Sequence, residues 1–153
     1  MIKVVDCILV VGFVMMPIFS CSGTRPNNLG VKDSRLVPCP STPNCVSSDD
    51  PDGVHFIAAI HLSVPASDAW RRLRSAIESY PRTEIVRATD DYIHAECRSA
   101  IFGFVDDVEF HLRPSQGIIA VRSASRLGYS DFGVNRKRIE TLRVRLTELG
   151  VTR

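Results

Sequence analysis

Two stretches in the second half of the chain constrain the fold more than any other feature. Residues 104–113 and 118–126 each alternate apolar and polar side chains, with only Pro114-Ser115-Gln116-Gly117 between them. Alternation of period two marks a strand with two unlike faces, and so short a turn can join two such strands only as an antiparallel hairpin. If the loop is that tetrapeptide, Arg113 faces Ile118 and the numbers of paired residues sum to 231. Val108, Phe110 and Leu112 then share one face with Ile119, Val121 and Ser123, and Asp106 and Ser125 continue it away from the turn. The other face carries Asp107, Glu109, His111, Arg122 and Arg126, with Glu109 directly across from Arg122. A slip of one residue would reverse every side.

The remaining elements follow from periodicity and turn signals. Residues 54–62 alternate and read as a first strand. Ala66, Ala69, Trp70, Leu73, Ala76, Ile77 and Tyr80 recur at three- and four-residue steps after Pro65, the pattern of a helix with one apolar face, which Pro81 stops. Trp70 on that stripe is expected to pack in the core. Thr83–Ala88 and Tyr92–Arg98 flank the turn Thr89-Asp90-Asp91 as a second hairpin. A last helix is expected over 131–149, with Ile139, Leu142, Leu146 and Leu149 as its apolar stripe and Gly150 as its end. The expected fold is α+β: a single antiparallel sheet of about five strands, in the order β-α-β-β-β-β-α, with two helices packed on one face. In outline this is similar to helix-grip folds that hold lipids between sheet and helix. Fold alone does not assign function.

The first residues concern address rather than fold. Lys3 gives a positive start, and the run from Cys7 to Phe19 covers 13 residues before Ser20-Cys21. At ~1.5 Å per residue that run reaches roughly 20 Å, short of the ~30 Å hydrocarbon core, so it reads as a secretory signal peptide. Ile18-Phe19-Ser20-Cys21 resembles a lipobox, in which the cysteine is lipidated and becomes the new N-terminus. Phe19 is bulky for that position and Asp6 interrupts the apolar approach, so a plainly cleaved signal and an uncleaved anchor stay open as alternatives. The expected organisation is a signal peptide with lipobox over 1–20, a flexible tether over 21–37 and a domain over 38–150. The protein is expected to be exported and membrane-anchored, facing the periplasm. Ser22 favours the outer membrane where the host has one.

That address bears on the cysteines. Cys39 and Cys45 bracket a short loop with two prolines, and an exported compartment permits a disulfide between them. Free thiols or a metal are the alternatives, although no second cysteine pair or nearby histidine completes a zinc set. Cys97 reads as a small core residue.

Candidate chemistry is sparse. His55 and His61 stand about 20 Å apart on an extended strand and cannot share a metal. No G-x-S-x-G elbow and no glycine-rich phosphate loop occurs. Asp106 and Asp107 point to opposite faces of a strand, poor geometry for paired acid/base carboxylates. Beyond Arg126 the chain turns through Leu127-Gly128-Tyr129-Ser130-Asp131, where Ser130 or Asp131 suits a helix N-cap. Arg136, Lys137 and Arg138 then sit near the positive end of the helix dipole, so something negative is expected close by. Internal acids (Asp131, Asp106, Asp107) are favoured over a bound anion. A net charge of +2 and an exported address point away from nucleic acid.

"PCPSTPNCVSS", "DYIHAECRS", "FGFVDDVEFHL" and "RSASRLGYSDFGVNRKRIE" together resemble the family known as domain of unknown function 1499, over roughly Leu36 to Leu146. The resemblance implies a small bacterial exported or membrane-attached protein, and no activity, ligand or catalytic residue comes with it. It marks Cys39, Cys45, Asp106, Asp107, Glu109, Arg122, Arg126, Tyr129, Asp131, Asn135 and Arg136 as family-pattern positions. With Arg138, the charged and polar members of that set are the candidate binding or charge-network residues.

The expected function is that of a non-catalytic, lipid-anchored accessory protein of the cell envelope, binding a lipid or a small anionic ligand, with no cofactor and no metal. Its rivals are an envelope hydrolase or transferase built on Asp106, Asp107, Glu109, His94 and Arg126, and a structural module that binds another protein. Chain recovered from membranes should show a mass shift matching lipid on Cys21, and an intact Met1 in the mature protein would exclude it.

Overall fold

A computed structural model describes residues 22–51 and 53–152; the segment expected as a signal peptide, and Cys21, lie outside the described residues. In chain order the elements are β1 (Val31–Lys32), β2 (Arg35–Leu36), β3 (Cys45–Ser47), β4 (Ile60–His61), α1 (Ala66–Glu78), β5 (Thr83–Ala88), β6 (Tyr92–Arg98), β7 (Val105–Arg113), β8 (Ile118–Ser125) and α2 (Val134–Glu148).

The register expected for the last hairpin is the one observed. Arg113 pairs with Ile118, Glu109 with Arg122 and Asp106 with Ser125. The turn is one 3₁₀ turn over Pro114–Gln116, closed by Gly117 at φ 63°, a left-handed conformation that glycine adopts without steric cost. From this hairpin the sheet grows on both sides in the order β3-β8-β7-β6-β5, with every pairing antiparallel. β4 also pairs with β8, so the main sheet has six strands rather than the expected five, and β1 and β2 form a separate two-stranded hairpin.

The edge beyond β8 is where the sequence misleads. One continuous strand over 54–62 is expected there, but β3 and β4 divide that edge between them. Cys45–Ser47 pairs with 122–124 and Ile60–His61 with 118–119. Residues 54–59 lie outside the antiparallel ladder, Phe56 makes only an isolated bridge to Ser47, and the buried side chains are His55, Ile57 and Ile60. The His55 carbonyl accepts the Ser47 N–H, and four other carbonyls of the segment are bonded by α2. Arg136 donates to the oxygens of Val54 and Phe56, and Arg143 to those of Ala58 (2.6 Å) and Ala59 (2.9 Å).

Both helices cover the Val108/Phe110 face. Ala69, Leu73, Ala76 and Ile77 of α1 and Ile139, Leu142 and Leu146 of α2 close over Ile93, Val108, Phe110, Ile119 and Val121 in one apolar cluster. Trp70 sits at its margin, partly buried, with its indole N–H donated to the Thr89 carbonyl at 3.2 Å. α2 starts at Val134, three residues later than expected. Asp131 still caps it from outside, accepting the N–H groups of Gly133 (3.0 Å) and Asn135 (2.7 Å). Past Gly150, Val151 is fully buried in the same cluster, so the domain extends beyond 150.

The opposite face of the sheet is covered too, by the segment expected as a tether. From residue 22 onward the chain lies across β6, β7 and β8. Leu36 is buried against Tyr92 and Ala120, and the Gly30 N–H donates to the Glu109 carboxylate at 2.7 Å. Residues 22–37 have no period to reveal this, because they make side-chain and single backbone contacts rather than a regular ladder. Cys39 and Cys45 form a disulfide that ties the end of this strap to the start of β3.

Leu36→Ala is expected to lower stability by about 2–5 kcal/mol, as for other buried leucines. Equilibrium urea unfolding reads it, and an unchanged midpoint would mean that the segment does not pack.

Candidate functional site

Strand alternation places Tyr92, His94 and Glu96 of β6, Asp107, Glu109 and His111 of β7 and Arg122 of β8 on the strap side of the sheet. Like charges meet there, since Glu96 is the direct cross-strand partner of Asp107. Arg126, just past β8, resolves the repulsion. Its Nε donates to Asp107 Oδ2 at 2.8 Å, and its Nη2 to Asp107 Oδ1 at 2.7 Å and Glu96 Oε1 at 2.5 Å. His94 Nε2 lies 2.8 Å from Asp107 Oδ1, and Arg25 of the strap reaches Glu96 from above. Glu109 is wholly buried. It accepts from Tyr92 Oη and from the Gly30 N–H at one oxygen and from Arg122 Nη1 at the other, at 2.7, 2.7 and 2.8 Å. Toward the turn, Arg113 makes a two-pronged pair with Asp49 and donates its Nε to His111 Nδ1.

The protonation states follow from these contacts. Burial alone would push the Asp107 carboxyl up, but the Arg126 hydrogen bonds, the His94 contact and the Arg126 charge outweigh it and hold it below the usual range. Glu96 is depressed in the same way, by Arg126 and Arg25 against burial, and Asp49 by Arg113 and the Leu36 N–H. Burial and then the Glu109 carboxylate push the Tyr92 phenol far up, so it remains a donor. The Arg126 guanidinium is held charged first by its bonds to Asp107. Burial and the Arg113 charge lower His111, which keeps its ring neutral and its Nδ1 free to accept.

A second polar cluster lies on the helix side. Arg138 of α2 pairs with Asp106 and donates to Ser123 Oγ and Asn135 Oδ1. Asn135, fully buried, also accepts from Ser123 Oγ and donates to the Asn44 carbonyl (3.0 Å) and to Ser125 Oγ (2.9 Å). All four hydrogen-bonding positions of its amide are used, so this cluster works as a clamp between α2 and the sheet. Cys97 is buried beside it, 3.2 Å from the Thr83 hydroxyl, and burial pushes its thiol up into the unreactive range.

The candidate residues therefore do not form one site. Asp107, Glu109, Arg122 and Arg126 come together under the strap; Asp106, Asn135 and Arg138 come together on the other face. Asp131 caps α2, Arg136 holds the 54–59 backbone and Tyr129 is mostly exposed in the loop before α2. The internal acid expected near the helix start is Asp106 for Arg138, while Arg136 is answered by carbonyls. Sequence reasoning passed over Glu96, Arg25, Asp49, Arg113 and Tyr92. Glu96 and Tyr92 were within reach, because they alternate with His94 along β6, whereas Arg25 and Asp49 arrive from segments without a period.

One cleft touches the ionic layer. Asn28 of the strap, the Pro38-Cys39-Pro40 corner, Asp107, Arg122, Ser125 and Arg126 line a space of about 280 Å³. Arg122 uses Nη1 on Glu109, and its Nε is the sole buried side-chain nitrogen or oxygen without a partner among the described residues. Among those residues, no group of three or more His, Cys, Asp or Glu side chains is placed to hold a metal ion, and no helix is long and apolar enough to cross a membrane.

A protein of such architecture, with a sheet sandwiched between two helices and an N-terminal strap over a buried ionic layer, is matched by one family model. The chain belongs to the family described as protein of unknown function (DUF1499), whose model matches residues 35–146. No curated protein and no solved structure matches the chain significantly.

Glu109→Gln leaves the Arg122 cation buried without a countercharge and should cost about 3–5 kcal/mol in urea unfolding. Acid should unfold the protein through this layer. Asp49, Glu96 and Asp107 have folded pKa values below their ordinary 3.8, 4.5 and 3.8, so the unfolded chain binds protons more readily. Their contribution is complete above about pH 5 and is lost as pH falls through and below the ordinary carboxylate range. Asp107→Asn should flatten that acid limb, and an unaltered pH profile would contradict the assignment.

Proposed function

We propose that this chain is a non-catalytic accessory protein of the cell envelope, exported and held at the membrane by lipid on Cys21, with a small anionic ligand bound in the cleft above Arg122 and Arg126. The observation that carries the non-catalytic part is that every carboxylate on the strap face of β6 and β7 is paired with arginine. Glu96, Asp107 and Glu109 each bind at least one arginine, and Tyr92 is fixed as a donor. A general acid or base needs a proton that moves near working pH, and Asp107 and Glu96 are instead held ionised. Asp106, which a hydrolase would combine with Asp107, faces the other side of the sheet and pairs with Arg138. This arrangement favours the accessory reading over the hydrolase or transferase.

The ligand clause rests on the cleft. A lipid between sheet and helices would need a hollow core, and Phe110, Ile93, Leu73 and Ile139 fill that space. The cleft at Arg122, about 280 Å³, suits a small ligand, and the buried, unpartnered Nε of that arginine favours an acceptor such as phosphate or a small carboxylate.

Two measurements test the reading. Cells fed labelled palmitate should label the wild-type chain and not Cys21→Ser; an unlabelled wild type removes the anchor. Inorganic phosphate should raise the thermal midpoint of the wild type relative to chloride at equal ionic strength. Asn28→Asp, which places a carboxylate in the cleft and leaves the ionic layer untouched, should abolish that rise. No rise in the wild type removes the ligand clause.

A further inference from the structure

One end of the sheet exposes large apolar side chains from two loops. The β6–β7 turn carries Ile101 at 83% and Phe102 at 64% exposure, with the rings of Phe102 and Phe104 5.7 Å apart. The β8–α2 connection runs beside it, because the Arg126 N–H donates to the Val105 carbonyl at 3.2 Å. That connection exposes Leu127, Tyr129 and Phe132, the last at 96%. Phe132 adopts a left-handed backbone conformation (φ 53°) that is unfavourable for a side chain with a Cβ, yet its ring makes no core contact. Isolated exposed apolar residues need no explanation, whereas a cluster of aromatics at the tips of two adjacent loops points to an interaction surface.

What faces this end is indicated by the start of the described chain. A Cβ placed on Gly23 would lie 3.0 Å from Arg126 Cβ and from Leu127 Cγ, so the chain enters the domain beside this same connection. Two residues of chain reach at most about 7 Å, so a group attached to Cys21 is tied to this end of the molecule. Cations rim it. Arg82, Arg98 and Lys137, all exposed, line a shallow cleft together with Ser99 and Val134. Apolar and aromatic tips ringed by basic side chains are the composition of a surface that enters the boundary between headgroups and acyl chains of an anionic bilayer.

We infer that this end is a membrane-facing surface: the acyl chains on Cys21 hold it at the bilayer, Ile101, Phe102 and Phe132 enter the interface, and Arg82, Arg98 and Lys137 meet anionic headgroups. The inference rests on the lipid-anchor reading of Cys21 and adds an orientation to it. The β7–β8 turn, at the far end of the sheet, then points away from the membrane.

Tryptophan quenching in vesicles tests it. Full-length chain isolated from host membranes, carrying Phe132→Trp, is reconstituted in phosphatidylethanolamine–phosphatidylglycerol vesicles whose acyl chains are brominated near the headgroup. Native Trp70, bonded to Thr89 in the β5–β6 turn, lies at the far end and supplies the background. The emission added by Phe132→Trp should fall about twofold, the effect of burial at the interface, while Ser115→Trp at the β7–β8 turn should be unaffected. Equal quenching at both positions, or none at 132, overturns the inference. So does a dimer in detergent-free vesicles crosslinked through this end, since a second copy would then cover the surface. The mass of Cys21 is read on the same sample. Lipid present without quenching at 132 overturns the orientation and leaves the anchor, whereas quenching without lipid removes the anchor and supports the surface.

Discussion

Glu109 lies in the middle of the sheet with no solvent contact, and the strap side of the protein is organised around that buried charge. A carboxylate removed from water is tolerable only when its oxygens are answered, and here a phenol, a backbone N–H and a guanidinium answer them. Each comes from a different part of the chain: β6, the strap and β8. The strap is therefore part of the domain, since without Gly30 and Arg25 two carboxylates of the layer lose partners to water. The neighbouring Glu96–Asp107 pair poses the same problem with two charges, and Arg126 spans both. A layer in which every member depends on the others has little freedom to move protons, and that property underlies the accessory reading.

The arginines of α2 solve a different problem on the other side. Cations in the first turns of a helix oppose its dipole by a few tenths to about 1 kcal/mol each. Here Arg136 and Arg138 have fixed partners within the domain. Arg138 binds Asp106, and Arg136 and Arg143 take carbonyls of a segment that meets β3 only at the Phe56–Ser47 bridge. The oxygens of Val54, Phe56, Ala58 and Ala59 are satisfied by these arginine side chains, which fits both the broken edge strand and the concentration of arginine in this helix. In this DUF1499 protein, basic composition near the C-terminal end is an architectural device.

The parts of the site that lie on regular strands were legible in the chain, and the parts that lie off them were not. Asp107, Glu109, Arg122 and Arg126 could be grouped, and Asp106 separated from them, because period two and a short turn leave one register for β7 and β8. Alternation along β6 carries Tyr92, His94 and Glu96 onto the same face by the same rule. Arg25, Asp49 and the Gly30 N–H contribute as much to the layer, but their segments have neither period nor motif, and nothing local says which face of the sheet they cover. The alternation over 54–62 shows the converse. A clear pattern of period two yielded only two residues paired with β8 and one isolated bridge, because β3 already held the neighbouring half of the edge.

By itself, then, the sequence determined the hairpin register, the two helices, the pairing of Glu109 with Arg122 and the closeness of Cys39 to Cys45, since each depends on residues close together or joined by a short turn. Only the tertiary structure decided that the N-terminal segment is a lid on the charged face, that α2 arginines bind carbonyls, and that the exposed aromatic loops share an end with the chain's entry beside Leu127. Those outcomes depend on contacts between segments distant in sequence, where the free energy of closing the charged layer and the core selects one arrangement and no local preference announces it.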